Sequence, residues 1–201
     1  MITKKGNIND LKSVRELLVN IDMVNGFVKE GSLAAPSIMR IVPRQIELLN
    51  EIAHDDKTEM VFVRDSHPVH AVEFKTFGEH CIKGTKEFEV IDELKGFEKN
   101  GRTFYKNSTN LIFAPAFQDY LMKLNNLERI RLMGCLSEIC VLNGAIGLRT
   151  YFDQNNKDIE VCVHSDAIDT YNAPGHDADE VTLQALNMMK ANGVKILERR
   201  R

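Results

Sequence analysis

Residues that can attack a carbon, move a proton or bind a cation stand at the ends of apolar runs in this sequence. Asp22 closes the run at 15–22, Asp65 the run at 59–65 and Lys106 a third at 102–106, while Gly134-Cys135-Leu136-Ser137-Glu138-Ile139-Cys140 follows a fourth at 128–134. Singly, each has an ordinary explanation: a strand-end Asp caps a turn, a Lys is solvated, and a Cys is a small core residue. Placed together on one rim, they offer a proton acceptor, a cation and a nucleophile within reach of one ligand.

Cys140 carries its own physical argument. Ser137 is a suitable helix N-cap, which makes Cys140 the N3 residue. A thiol there lies among free backbone amides, which with the helix dipole favour a thiolate and can also hold an oxyanion. Cys135 and Cys162 lie in apolar strand contexts and read as core residues, whereas Cys81, directly after His80, is left open. With only 4 cysteines and no C-x-x-C, the expectation is reduced thiols rather than a disulfide scaffold.

A second cluster comprises Asp65-Ser66-His67, then His70, Glu73 and His80. An Asp and a His two apart on an extended strand point the same way, and a later His or carboxylate from a loop can close a site for a divalent ion with positions left for substrate. His70 reads as a surface loop residue, His54 as solvent-exposed, His164 as a strand-end packing residue and His176 as the start of the last helix.

These groups need a scaffold, and the periodicity supplies one. Buried strands are expected at 15–22, 59–65, 102–106, 128–134, 159–164 and 194–197, with helices after Pro36-Ser37 and near 115–124, 138–152 and 176–192. Strand–helix alternation implies a three-layer α/β/α fold with a mostly parallel, doubly wound central sheet, because parallel strands need crossover connections. Ligands of such sheets bind at the carboxyl ends of the strands, the rim where the reactive residues collect. Residues 66–103 hold no strong periodic element, and a long irregular insertion in a compact domain is usually functional.

At 201 residues, 43% hydrophobic and 27% charged, the chain suits one domain. A net charge of −3 with both signs interspersed gives no basic footprint, which excludes nucleic acid and anionic membrane as expected partners. No apolar run approaches a bilayer span and no apolar segment follows the N-terminal lysines, so the expected location is cytoplasmic. No Gly-rich phosphate loop follows a strand, which argues against a nucleotide binder.

The same residues resemble the isochorismatase-like cysteine hydrolases, and within them the nicotinamidase-like members. The motifs are Asp22-Met23-Val24-Asn25-Gly26-Phe27, the segment Gly31 to Pro36, Lys106, and Gly134 to Val141 with Ser137 where a Thr is usual. The D-x-H of Asp65 and His67 and the His80-Cys81 pair followed by Gly84-Thr85 separate the nicotinamidase-like members from the rest. Isochorismatases proper lack the cysteine. The resemblance runs from about residue 15 to 197, leaving 1–14 as an N-terminal extension to a single domain of 15–201.

Carried over residue by residue, it implies a triad of Asp22, Lys106 and Cys140, metal ligands Asp65, His67 and His80 assisted by Glu73, and Phe27 and Phe77 on the faces of the substrate ring. It also implies a cis peptide at Cys135–Leu136 and an oxyanion hole from the amides of Leu136 and Cys140. The expected cofactor is one divalent ion, Zn first, with Fe or Mn also suited to the ligands. The expected activity is amide hydrolysis through a thioester, nicotinamide to nicotinate and ammonia, by a homo-oligomer with a small-molecule substrate. Alternatives are a carbamoyl or ureido hydrolase of the same family and a catalytically silent ligand binder. Gly26 in place of an acid, Phe77-Gly78-Glu79 in place of an aromatic-proline run, and Asn110 to Phe113 in place of a small segment depart from the family pattern at the pocket walls.

Overall fold

The structure, a computed structural model, describes residues 11–199. Its strands are β1 (Glu16–Ile21), β2 (Thr58–Asp65), β3 (Arg102–Lys106), β4 (Arg129–Cys135), β5 (Glu160–Asp169) and β6 (Lys195–Leu197). Its helices are α1 (Asn25–Val28), α2 (Val42–Ile52), α3 (Phe74–Phe77), α4 (Asp92–Glu98), α5 (Pro115–Lys123), α6 (Leu142–Gln154) and α7 (Ala178–Ala191). The strands form one six-stranded sheet in the order β3-β2-β1-β4-β5-β6, and every neighbouring pair is parallel.

A parallel sheet is covered on both faces, which is why β1 is apolar almost throughout. Successive side chains alternate: Leu17, Val19 and Ile21 pack with Phe117 of α5, Leu148 of α6 and Met189 of α7, while Leu18 packs with Leu48 and Leu49 of α2 and Leu94 of α4. Truncating any of these buried leucines to alanine costs about 2–5 kcal/mol. The exception in the run, Asn20, donates to Gln45 Oε1 (2.9 Å), and Gln45 Nε2 donates in turn to Ala167 O (3.0 Å), so the buried amides are satisfied.

The winding reverses between β1 and β4, which opens a crevice at their carboxyl ends. Close approach is built in there. Gly134 has φ 132°, and a Cβ on it would stand 2.0 Å from Ile21 O. Only glycine lets β4 reach the rim at this spacing.

The expected strands and principal helices are present with shifted bounds. The helix after Pro36 opens as a 3-10 segment, Pro36–Ile41, before α2. β5 runs on to Asp169, beyond the expected 164. The last helix is capped by Asp177, whose carboxylate accepts Glu180 N–H (2.9 Å), and not begun by His176. The insertion at 66–103 contains α3 and α4, missed because they are short and α4 buries only Leu94. Of the expected N-terminal extension, residues 1–10 lie outside the described residues, while Leu11 and Val14 pack into the core.

Candidate active site and metal centre

Asp22 follows β1 with φ 55°, a left-handed conformation that turns its carboxylate into the crevice. Oδ1 accepts the N–H of Asp65 (2.9 Å), and Oδ2 lies 2.7 Å from Lys106 Nζ. Lys106 ends β3 opposite Asp65 in register and is 2% exposed, so its ammonium is committed to what surrounds it. It forms a short ion pair with Asp65 Oδ1 and lies 3.5 Å from Cys140 Sγ. The three residues expected as a triad therefore meet, from the ends of β1 and β3 and the turn after β4.

That turn differs from the expected helix start. Residues Ser137–Val141 form a π-type turn whose N-cap is Leu136, and Ser137 caps nothing; its hydroxyl pairs with Thr182 Oγ1 of α7 (2.7 Å). The carbonyl of Leu136 accepts from Ile139 N–H (3.2 Å) and Val141 N–H (3.1 Å), which fixes the turn around Cys140. The Cys135–Leu136 peptide is cis.

Burial works against the expectation that helix amides favour a thiolate at Cys140. Burial pushes the thiol well above its usual range, and Asp22 and Asp65 add to that against the pull of Lys106. Burial, reinforced by the charge of Asp65, raises Asp22 to about 6 despite Lys106. For Asp65 burial also acts upward, but the charge of Lys106, together with the neighbouring imidazoles of His67 and His80, outweighs it and holds the group well below the carboxylate range. Burial acts downward on Lys106, yet the two carboxylates keep it charged. Burial thus works against a thiolate at Cys140 and raises the basicity of Asp22.

Asp65 faces two ways. Its Oδ2 lies 3.5 Å from His67 Nε2 and 3.7 Å from His80 Nε2, and Glu73 Oε1 is 4.0 Å from His67 Nε2. Ligand atoms from Asp65, His67, Glu73 and His80 all lie within 4.8 Å of one another. The outer ring nitrogens face acceptors: His67 Nδ1–H donates to Asn107 Oδ1 (2.7 Å) and His80 Nδ1–H to Gly78 O (2.9 Å). This sets both tautomers so that Nε2 presents a lone pair inward. Nε2 of His67 is buried without a hydrogen-bond partner. Two imidazole nitrogens and two carboxylates converging on an unsatisfied atom fit a divalent ion of the Zn, Fe or Mn kind.

Aromatic side chains surround this cluster. The ring of Phe27 is 5.5 Å from that of His80, and Phe77 is 6.5 Å from it edge-on. Phe74, not singled out in the sequence, stands 5.3 Å from His67 and 5.5 Å from His80. Asn107 was also missed, although it directly follows Lys106 on the rim. Cys81, Cys135 and Cys162 are buried, and His54 and His70 are exposed as expected. A separate cavity of about 610 Å³, lined by Leu11, Val14, Met60 and Phe97 among others, lies at the amino ends of β1 and β2, away from this chemistry.

A family model described as the isochorismatase domain matches residues 16–200. The chain belongs to the isochorismatase family. Among family relatives, Nicotinamidase 1 of Arabidopsis thaliana is 26% identical over 184 residues, spanning 82% of this chain and 73% of that protein. The isochorismatase fold seen here is similar to that of the pyrazinamidase of Pyrococcus horikoshii, solved in complex with zinc, with a TM-score of 0.71 at 23% identity over 92% of this chain and 99% of that one. It is likewise similar to N-carbamoylsarcosine amidase from Thermoplasma acidophilum, with a TM-score of 0.73 at 22% identity over 92% of this chain and 96% of that one. Among the described residues of this family member, no helix is long and apolar enough to cross a membrane.

Proposed function

We propose that this protein is a metal-assisted cysteine amidohydrolase whose substrate is nicotinamide. The observation that carries the reading is the sharing of Asp65: one oxygen pairs with Lys106 of the Asp22–Lys106–Cys140 group, and the other joins the two histidines of the cation cluster. An amide carbon at Cys140 and a ring nitrogen near His67 and His80 would then be read by one connected site. The nicotinamidase among the relatives and the zinc-bound pyrazinamidase among the structural neighbours support it.

Asp22 takes the proton of the Cys140 thiol, and the sulfur attacks the carboxamide carbon. The oxyanion is held by the N–H groups of Leu136 and Cys140. As the tetrahedral intermediate collapses, the C–N bond breaks and Asp22 returns its proton to the nitrogen, releasing ammonia and leaving a thioester. Asp22 then takes a proton from water, the hydroxyl oxygen adds to the thioester carbon, and the C–S bond breaks as Asp22 returns that proton to the Cys140 sulfur; the thiol is restored and the acid product loses its proton to solvent as nicotinate. Lys106 stays charged throughout and compensates the carboxylates. A divalent ion held by Asp65, His67, Glu73 and His80 would supply a Lewis-acid position for the pyridine nitrogen. Phe27 and Phe77 would line the ring faces.

Ammonia release from nicotinamide, benzamide and N-carbamoyl amino acids, measured with and without chelator, tests this. Nicotinamide should be the preferred substrate, and Cys140→Ala should abolish turnover while the melting temperature stays near wild type. Benzamide lacks the ring nitrogen and should be slower by a factor on the order of 10² or more. Equal rates for benzamide and nicotinamide would refute the metal's role in substrate reading. Preference for a carbamoyl substrate, indifferent to chelator, would instead place the protein with the carbamoyl amidases.

A further inference from the structure

The loop that carries His80 is held from behind by a residue outside the cluster. Cys81 has φ 45°, an unfavourable conformation for a side-chain-bearing residue, and is fully buried. Its N–H donates to Glu87 Oε2 (3.1 Å). Its carbonyl accepts the N–H of His67 (3.2 Å). Glu87 also reaches the opposite wall through its own carbonyl, which accepts the N–H of Gly26 (3.0 Å), the residue before Phe27.

Space for this carboxylate is made by two glycines. A Cβ at Gly31, where φ is +113°, would stand 2.6 Å from Glu87 Cδ and Oε1. At Gly26 it would stand 2.7 Å from Cys81 Sγ and 3.1 Å from Glu87 Cβ. Side chains at either position would displace the acid or the loop it holds. Ser32 Oγ, next to Gly31, donates to Glu79 O (2.9 Å) and ties the same two segments one residue before His80.

We infer that Glu87 is a positioning residue for the cation site: its carboxylate fixes Cys81, and through it the backbone of both His80 and His67, while its carbonyl fixes the turn bearing Phe27. The inference rests on the metal-assisted reading above and adds to it a part that makes no contact with metal or substrate. Outer supports of metal ligands change metal affinity when removed, by about 10- to 100-fold.

The test is zinc affinity of the metal-free protein by competition with a chromophoric chelator, together with deuterium uptake of the peptide spanning 79–84. Glu87→Ala should weaken zinc by about 10- to 100-fold and raise uptake in that peptide. Glu87→Gln, whose amide oxygen can still accept from Cys81 N–H, should stay within about threefold of wild type. If the alanine variant does not fold, Glu87→Asp takes its place, since a side chain one methylene shorter falls short of Cys81; zinc affinity should then rank Gln above Asp. Wild-type zinc affinity and uptake in the alanine or aspartate variant would overturn the role of Glu87, as would a lower melting temperature with both unchanged. A wild-type protein that takes up no zinc would overturn the metal-assisted reading and this inference together.

Discussion

Burial acts on every ionisable group of the rim, and its neighbours decide the outcome. Asp65 and Lys106 keep their charges because each has opposite charges in contact, whereas Asp22 and Cys140 drift toward their neutral forms. Spacing made Asp22, Asp65, Lys106 and Cys140 visible as candidates, since each follows an apolar run. It did not show that one ammonium serves two carboxylates, or that burial works against a thiolate at Cys140. Phe74 and Asn107 were silent because a lone Phe in the insertion and a lone Asn after β3 carry no pattern. His164 gives the same physics a pH readout. Burial, with the nearby Arg131 charge, lowers it to about 4, and Arg131 Nη1 donates to its Nε2 (3.2 Å), which requires that nitrogen unprotonated. The unfolded chain binds a proton below its ordinary value of about 6.5 while the native state does not, so this contribution is full above that pH and is lost as pH falls toward about 4. The loss amounts to about 3 kcal/mol at most. His164→Gln, which keeps an acceptor for Arg131 but cannot titrate, should flatten the fall in urea midpoint between about pH 7 and about pH 4. An unchanged slope would mean that other groups carry the acid sensitivity.

At the scale of elements, the alternation of apolar runs was enough to place the strands because a covered parallel sheet needs continuous apolar strands. The short pieces were less legible. Pro36–Ile41 has an apolar pattern that a helix shares with a 3-10 segment, and α4 offers one buried Leu, too little for a period. The turn Ser137–Val141 looked like a capped α-helix because Ser137 is a good cap by type, but the structure spends its hydroxyl on α7. Two glycines show how position decides sign. Gly134→Ala would drive a Cβ into Ile21 O at 2.0 Å with φ at +132°, so it should destabilise by more than about 3 kcal/mol or prevent folding. Gly96 lies inside α4 with nothing within 4 Å of the Cβ it would gain, so Gly96→Ala should stabilise by about 0.5–1 kcal/mol. Urea denaturation of both variants checks the pair, and a mild effect at Gly134 would mean that β4 can move away from β1.

At the scale of the whole molecule, the cation cluster lies on one stretch, 65–80, whose ligands converge only when it is packed against β3 and the rim of the sheet, so a ligand there couples to global folding. Asp65 comes from the end of β2, His67, Glu73 and His80 from the insertion, and Lys106, which pairs with Asp65, from β3. Unfolding separates them, and an ion bound only to the native state therefore stabilises the fold by mass action. At free zinc 100 times its dissociation constant the gain is about 2.7 kcal/mol. For a chain of this size that corresponds to a rise in melting temperature on the order of 5–10 °C. Melting of the chelator-treated protein with and without added zinc, for wild type and for His80→Ala, separates this coupling from weak surface binding. Wild type should gain the full shift, and His80→Ala should lose most of it because removing one imidazole leaves an incomplete ligand set. An equal shift in both proteins would place the stabilising zinc somewhere other than the cluster of Asp65, His67, Glu73 and His80.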